Sequence, residues 1–94
     1  MSGGSKIRQS VWFTGRVQGV GFRYTALSVA REFAVTGYVK NLPDGRVEAV
    51  IEGDPPDIDR YLAALREAMA GCIRHEESRE SPATGSFHGF EIRY

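Results

Sequence analysis

The sequence predicts an α+β fold of two layers, an antiparallel sheet covered on one face by two helices. Three features of the chain predict it. Strand-like and helix-like segments follow one another as strand, helix, strand, strand, helix, strand, strand. The strand-like segments carry apolar residues at alternate positions, so each has one side to bury. Both helical segments carry a single apolar stripe, which is stable only against another layer. With 94 residues the chain buries roughly 60 to 65% of the surface it exposes when unfolded, which supports one core and one domain.

Residues 1–6, which open Met1-Ser2-Gly3-Gly4-Ser5, read as a flexible tail, and residues 7–94 as the domain. In residues 10–16, Val11, Phe13 and Gly15 alternate with Trp12, Thr14 and Arg16, and the aromatic and β-branched content favours a strand. A glycine-punctuated loop follows at 16–22. Beyond it Phe22, Thr25, Ala26, Val29, Ala30 and Phe33 recur on one helical face, opposite Ser28, Arg31 and Glu32. Residues 35–42 form a second strand, and Leu42-Pro43-Asp44-Gly45 has the fixed φ and the tolerance of φ > 0 that a tight turn uses. A third strand at 46–52 completes a hairpin, with Val47, Ala49 and Ile51 inward and Glu48, Val50 and Glu52 outward. Asp54 is the N-cap of a second helix, Pro55 its first residue, and Ile58, Tyr61, Leu62, Leu65, Ala68 and Met69 its apolar stripe, closed by Gly71. In residues 72–80 only Ile73 is strongly apolar among His75, Glu76, Glu77, Arg79 and Glu80, the pattern of a polar edge strand. A loop at 81–85 leads to a last strand at 87–94, with Phe90, Ile92 and Tyr94 on one face. This is βαββαβ with an additional short strand, the ferredoxin-like two-layer α/β sandwich. Its split β-α-β connection makes the first strand central, so the 16–22 loop emerges from the best-supported part of the sheet.

Twelve basic residues balance twelve acidic ones, so no general affinity for nucleic acid or an anionic membrane is expected. Cys72 is the single cysteine, which excludes an internal disulfide and suits a reducing compartment. No apolar run reaches the length of a membrane span, and the first residues lack the apolar segment of a signal peptide. A cytoplasmic monomer is the expectation, since a polar edge strand discourages edge-to-edge pairing.

The stretch that the elements serve is Gly15-Arg16-Val17-Gln18-Gly19-Val20-Gly21-Phe22-Arg23. Successive backbone N–H groups of a glycine-rich turn can converge on one anion, and the helix that follows adds unpaired N–H groups and positive dipole. Arg23 supplies a full charge in a fork that grips phosphate or carboxylate bidentately. The glycines do not make G-x-G-x-x-G, because Tyr24 stands where the third would fall, and no Gly-Lys-Ser/Thr follows. A plain strand-to-helix connection needing φ > 0 would have the same spacing. Asn41 lies two residues beyond Val39, on the same face of its strand, where its amide needs a partner. An asparagine there also suits a hairpin turn.

The nonapeptide resembles the acylphosphatase signature, and Gly37-Tyr38-Val39-Lys40-Asn41 matches that family's second motif. Gly89-Phe90-Glu91-Ile92-Arg93 is similar to the family's last strand, so the resemblance runs from about Val11 to Tyr94. Residues 72–80 depart from it, since the family shows better apolar alternation there. The resemblance implies the same ferredoxin-like fold, acyl phosphates as small-molecule substrates, and Arg23 and Asn41 as the catalytic pair. It implies that the backbone N–H groups of Gln18, Gly19, Val20, Gly21 and Phe22 cradle the phosphoryl group while Asn41 positions a water for in-line attack, giving a carboxylate and inorganic phosphate. A carboxylate leaves without a general acid, and loose phosphoryl transfer asks mainly for positioning and charge stabilisation, so no metal or cofactor is expected. His75 and His88 lack metal-site spacing and read as solvent-facing. Arg16 reads as a solvated surface arginine near the loop.

Two other readings share the fold. Larger proteins that process carbamoyl phosphate carry a domain with this signature, so the loop could serve phosphate recognition without catalysis. An RNA-binding domain of this topology would stack bases on aromatics of the open sheet face, where Glu48 and Glu52 argue against it. The motif grips the phosphoryl group and leaves the acyl side unspecified.

Overall fold

The computed structural model describes residues 5–94. Residues 1–4 of the expected tail lie outside the described residues. The elements are β1 (Ile7–Gly15), α1 (Phe22–Ala30), β2 (Thr36–Asn41), β3 (Val47–Gly53), α2 (Pro55–Ala68), β4 (Ile73–Pro82) and β5 (Phe90–Arg93). They build the expected ferredoxin-like two-layer sandwich, with the strands ordered β4-β1-β3-β2-β5.

Two features of the sheet differ from expectation. It is mixed, because β5 runs parallel to β2 while the other pairs are antiparallel. The strand at its centre is β3, with β1 interior between β4 and β3. Both follow from the connection between the last two strands, which lie on opposite edges. Crossing four strand spacings takes about 19 Å, and seven residues reach about 23 Å when extended, so residues 83–89 must run nearly straight. They form a strap across one end of the sheet, with Ala83 N donating to Lys6 O at 3.4 Å and Gly37 N to Gly89 O at 2.9 Å.

The strap also changes the reading of β3. Glu52 faces away from the helices as expected but is buried, only 4% exposed, rather than solvated. Its carboxylate accepts from Arg8 Nε (2.8 Å), Thr84 N and Oγ1 (3.0 and 2.9 Å) and Gly85 N (3.0 Å). Glu48 on the same face accepts from Trp12 Nε1 (3.1 Å) and the Tyr38 hydroxyl (2.9 Å). An alternating acidic strand reads as solvent-facing, because the donors that cover it come from β1, β2 and the strap, all distant from it in the sequence or across the sheet.

The core lies between the sheet and the helices. Val11, Phe13, Val39, Val47, Ala49 and Ile51 meet Phe22, Ala26 and Ala30 of α1 and Ile58, Tyr61, Leu62 and Leu65 of α2. The Tyr61 hydroxyl donates to Ala26 O at 2.9 Å, joining the helices inside the core. Helix α1 stops at Ala30 rather than Phe33. The N–H groups of Arg31, Glu32 and Phe33 bond three residues back, to Ser28, Val29 and Ala30, so the last turn tightens out of α geometry. Asp54 caps α2 through its backbone carbonyl, which takes the N–H groups of Asp57 and Ile58, and not through its side chain. Pro55 and Pro56 offer no N–H, and that of Asp57 is already engaged. β4 is an edge strand as expected, paired with β1 from Ile7↔Pro82 to Thr14↔His75 with a shift at Gly15.

Candidate active site

Strand β1 delivers the chain into the loop, and Arg16 N donates to Cys72 O at 2.8 Å, so the β1–β4 pairing continues to the loop's first residue. Cys72, far along the chain, is therefore a spatial neighbour of the loop base. Val17 is fully buried and Val20 packs against the core, pinning the loop from below. The Gln18 side chain pins it sideways: Nε2 donates to Leu42 O (2.8 Å) and Arg46 O (2.9 Å), across the β2–β3 turn. Gly19 and Gly21 adopt φ of 76° and 79°, the left-handed region where a side chain is strained.

Between these anchors the backbone donors are uncommitted. Gly21 is the N-cap of α1 with no side-chain cap, and no acidic residue occupies the first turn. Thr25 N is the first helical donor, to Gly21 O at 3.0 Å. The N–H groups of residues 18–24 have no hydrogen-bond acceptor among the described residues. Phe22 is buried and tilted against Phe13, ring centroids 5.0 Å apart, which fixes where the helix begins and hence where Arg23 stands.

The loop and helix start enclose a cavity of about 210 Å³ lined by Val17, Gly19, Gly21, Phe22, Arg23, Tyr24 and Asn41. That is below the roughly 300 to 1,000 Å³ typical of drug-sized ligands and suits a small group. No lining residue is acidic, and Arg23 brings the one formal charge. Asn41 ends β2, and its Oδ1 is buried with no hydrogen-bond partner. The turn does not use the side chain. Its bonds run from Leu42 N to Arg46 O, Gly45 N to Leu42 O, Arg46 N to Asp44 Oδ1, and from Gln18. The two ends of a carboxamide are nearly isosteric, so a half-turn offers the cavity either donor or acceptor.

The structure thus brings Arg23, Asn41, Gly19, Gly21 and Phe22 to one cavity, while Gln18 and Val20 do not line it. Val17 and Tyr24 line it as well, which sequence reasoning missed; the only signal for Tyr24 was its place beside Arg23. Tyr94, expected on one face of the last strand with Phe90 and Ile92, instead lies past the end of β5. It is 83% exposed, with the Arg23 guanidinium 4.9 Å from its ring centroid. Arg16, His75 and His88 are exposed. Among the described residues no three His, Cys, Asp or Glu side chains converge as metal ligands. No described helix is long and apolar enough to cross a membrane.

The acylphosphatase family model matches residues 9–92. An acylphosphatase of Thermobifida fusca is 44% identical over 89 residues, covering 94% of this chain and 98% of that protein. The crystal structure of acylphosphatase from Bacillus subtilis superposes with a TM-score of 0.86 at 32% identity, over 94% of this chain and 99% of that one. Full-length HypF in its phosphate- and nucleotide-bound form matches 96% of this chain with 12% of its own, at 25% identity and a TM-score of 0.85.

Proposed function

The chain belongs to the acylphosphatase family of hydrolases, and on that premise we propose that it cleaves acyl phosphates by in-line attack of a water, with the 16–22 loop and Arg23 as the grip and Asn41 as the water's positioner. The observation that carries this reading is the meeting of Arg23 and Asn41 on one cavity, with an amide and a row of backbone donors that the fold does not use. An unused buried polar atom such as Asn41 Oδ1 costs stability, so a role outside the fold accounts for it.

In this reading the phosphoryl group of R–CO–O–PO₃²⁻ enters the loop. Backbone N–H groups of residues 18–22 and the Arg23 guanidinium take its non-bridging oxygens. The water oxygen bonds to phosphorus as the bond to the bridging oxygen breaks, and the carboxylate leaves with that electron pair. The water's proton passes to the phosphate, since no carboxylate or imidazole is among the lining residues to take it. Charge stabilisation and alignment are enough because the leaving group is weakly basic, so neither a metal nor a general acid is needed.

The test is hydrolysis of benzoyl phosphate by the purified protein with EDTA present. Arg23→Ala is expected to lose at least about 10²-fold in rate, the usual cost of one preorganised donor. Asn41→Ala is expected to act on kcat, because it removes water alignment and leaves the phosphate grip. An Asn41→Ala variant with raised KM alone would overturn the assignment. The likeness to a small part of HypF supports a second reading, a phosphate-recognition module. It predicts no turnover by the parent, with inorganic phosphate still raising the melting temperature.

A further inference from the structure

Among the described residues, the large hydrophobic side chains that the surface exposes are Tyr24 (64%) and Tyr94 (83%). Both stand beside the same cavity. Tyr24 is part of its wall, and Tyr94 lies against the guanidinium of Arg23. They arrive from distant parts of the chain, one on the first turn of α1 and the other beyond β5. The Tyr94 phenol is held above its usual value by the neighbouring Tyr24 hydroxyl, in keeping with two rings that are close neighbours. Neither ring belongs to the core cluster. An exposed aromatic pair beside a cavity marks a contact surface for a ligand.

The chemistry of the substrate says which part of it arrives there. The uncommitted N–H groups of the loop and the Arg23 guanidinium suit the phosphoryl group. One bridging oxygen separates phosphorus from the carbonyl carbon, so an acyl group whose phosphate is gripped by Arg23 lies within reach of both rings. We propose that Tyr24 and Tyr94 are the acyl-group subsite, selecting flat, unsaturated acyl phosphates of the benzoyl class over short aliphatic ones; the proposal rests on the hydrolytic reading above. A flat acyl group can stack offset or edge-on against either ring. Tyr94 is restrained by its stacking on Arg23, which lowers the entropy lost when a ligand packs on it. An acetyl group offers no flat face for either ring to stack on.

The experiment compares kcat/KM for benzoyl phosphate and acetyl phosphate, with the inhibition constant of inorganic phosphate, in the full chain and its Tyr24→Leu, Tyr94→Leu and doubly substituted forms. The ratio of benzoyl to acetyl kcat/KM should fall about fivefold in each single variant and further in the double, from the usual worth of one aromatic contact. The phosphate inhibition constant should stay within about twofold, reporting an intact cradle. An unchanged ratio in the double variant would overturn the proposal. So would an equal loss on both substrates with weakened phosphate inhibition, which would mean that the rings only hold Arg23. A parent that hydrolyses neither substrate would instead sink the hydrolytic reading and the subsite with it.

Discussion

Asn41 is a residue that the fold tolerates rather than uses. A buried acceptor without a partner costs about 1 to 3 kcal/mol, and the Asn41 amide carries that cost. Replacing it with alanine should therefore leave the melting temperature unchanged or raised while kcat falls, a split that a thermal melt and an activity assay read together. A clear drop in melting temperature would return Asn41 to the turn. The sequence left that choice open. Its spacing from Val39 put the side chain on the helix-facing side, which the buried Oδ1 bears out. That Asp44 and Gln18 already serve the turn depends on long-range packing. Arg23 was legible because glycines and a helix start announce an anion site locally. Tyr94 was not, because an alternating pattern gives no sign of where a strand's pairing stops.

Besides its apolar anchors Val17 and Val20, the loop is held by Gln18, which fastens it to the β2–β3 turn, the turn that follows Asn41. Gln18→Ala removes two donors, but Leu42 O and Arg46 O keep their bonds from Gly45 N and Leu42 N. The expected loss of stability by urea unfolding is therefore modest, about 1 kcal/mol. The functional loss should be larger, with KM raised and phosphate inhibition weakened, because the donors of residues 18–22 lose their support. Unchanged phosphate affinity would show that buried Val17 and Val20 hold the loop alone. Most elements were legible from periodicity and turn chemistry. Their ends were not: the close of α1 turns on a local switch to three-residue bonding that the apolar stripe runs straight through, and the extension of β4 to Pro82 is settled by pairing with distant β1.

At the scale of the whole molecule, Glu52 is where the strap fastens to the sheet. Burial opposes its charge, but donors from Thr84, Arg8 and Gly85 outweigh that and hold its carboxyl down at about 2, against the usual 4.5. The folded state thus binds this proton less readily than the unfolded one. The contribution, about 3 kcal/mol, is complete above about pH 5 and is lost as pH falls from 4.5 toward 2. Glu52→Gln should lower stability at neutral pH and flatten that acid limb in urea titrations at stepped pH; an unchanged limb would assign acid sensitivity to other carboxylates. The same sheet order governs how the protein is made. β4 pairs with β1, and β5 with β2, so both edges are closed by the last quarter of the chain. A nascent chain that ends at α2 holds β1, β3 and β2 with both borders bare, and lacks the Cys72 carbonyl that anchors the loop base. Such distant pairings are slow to close, which places refolding on the millisecond-to-second scale in stopped-flow measurements. During synthesis the half-made sheet is the species most exposed to sticking to its neighbours.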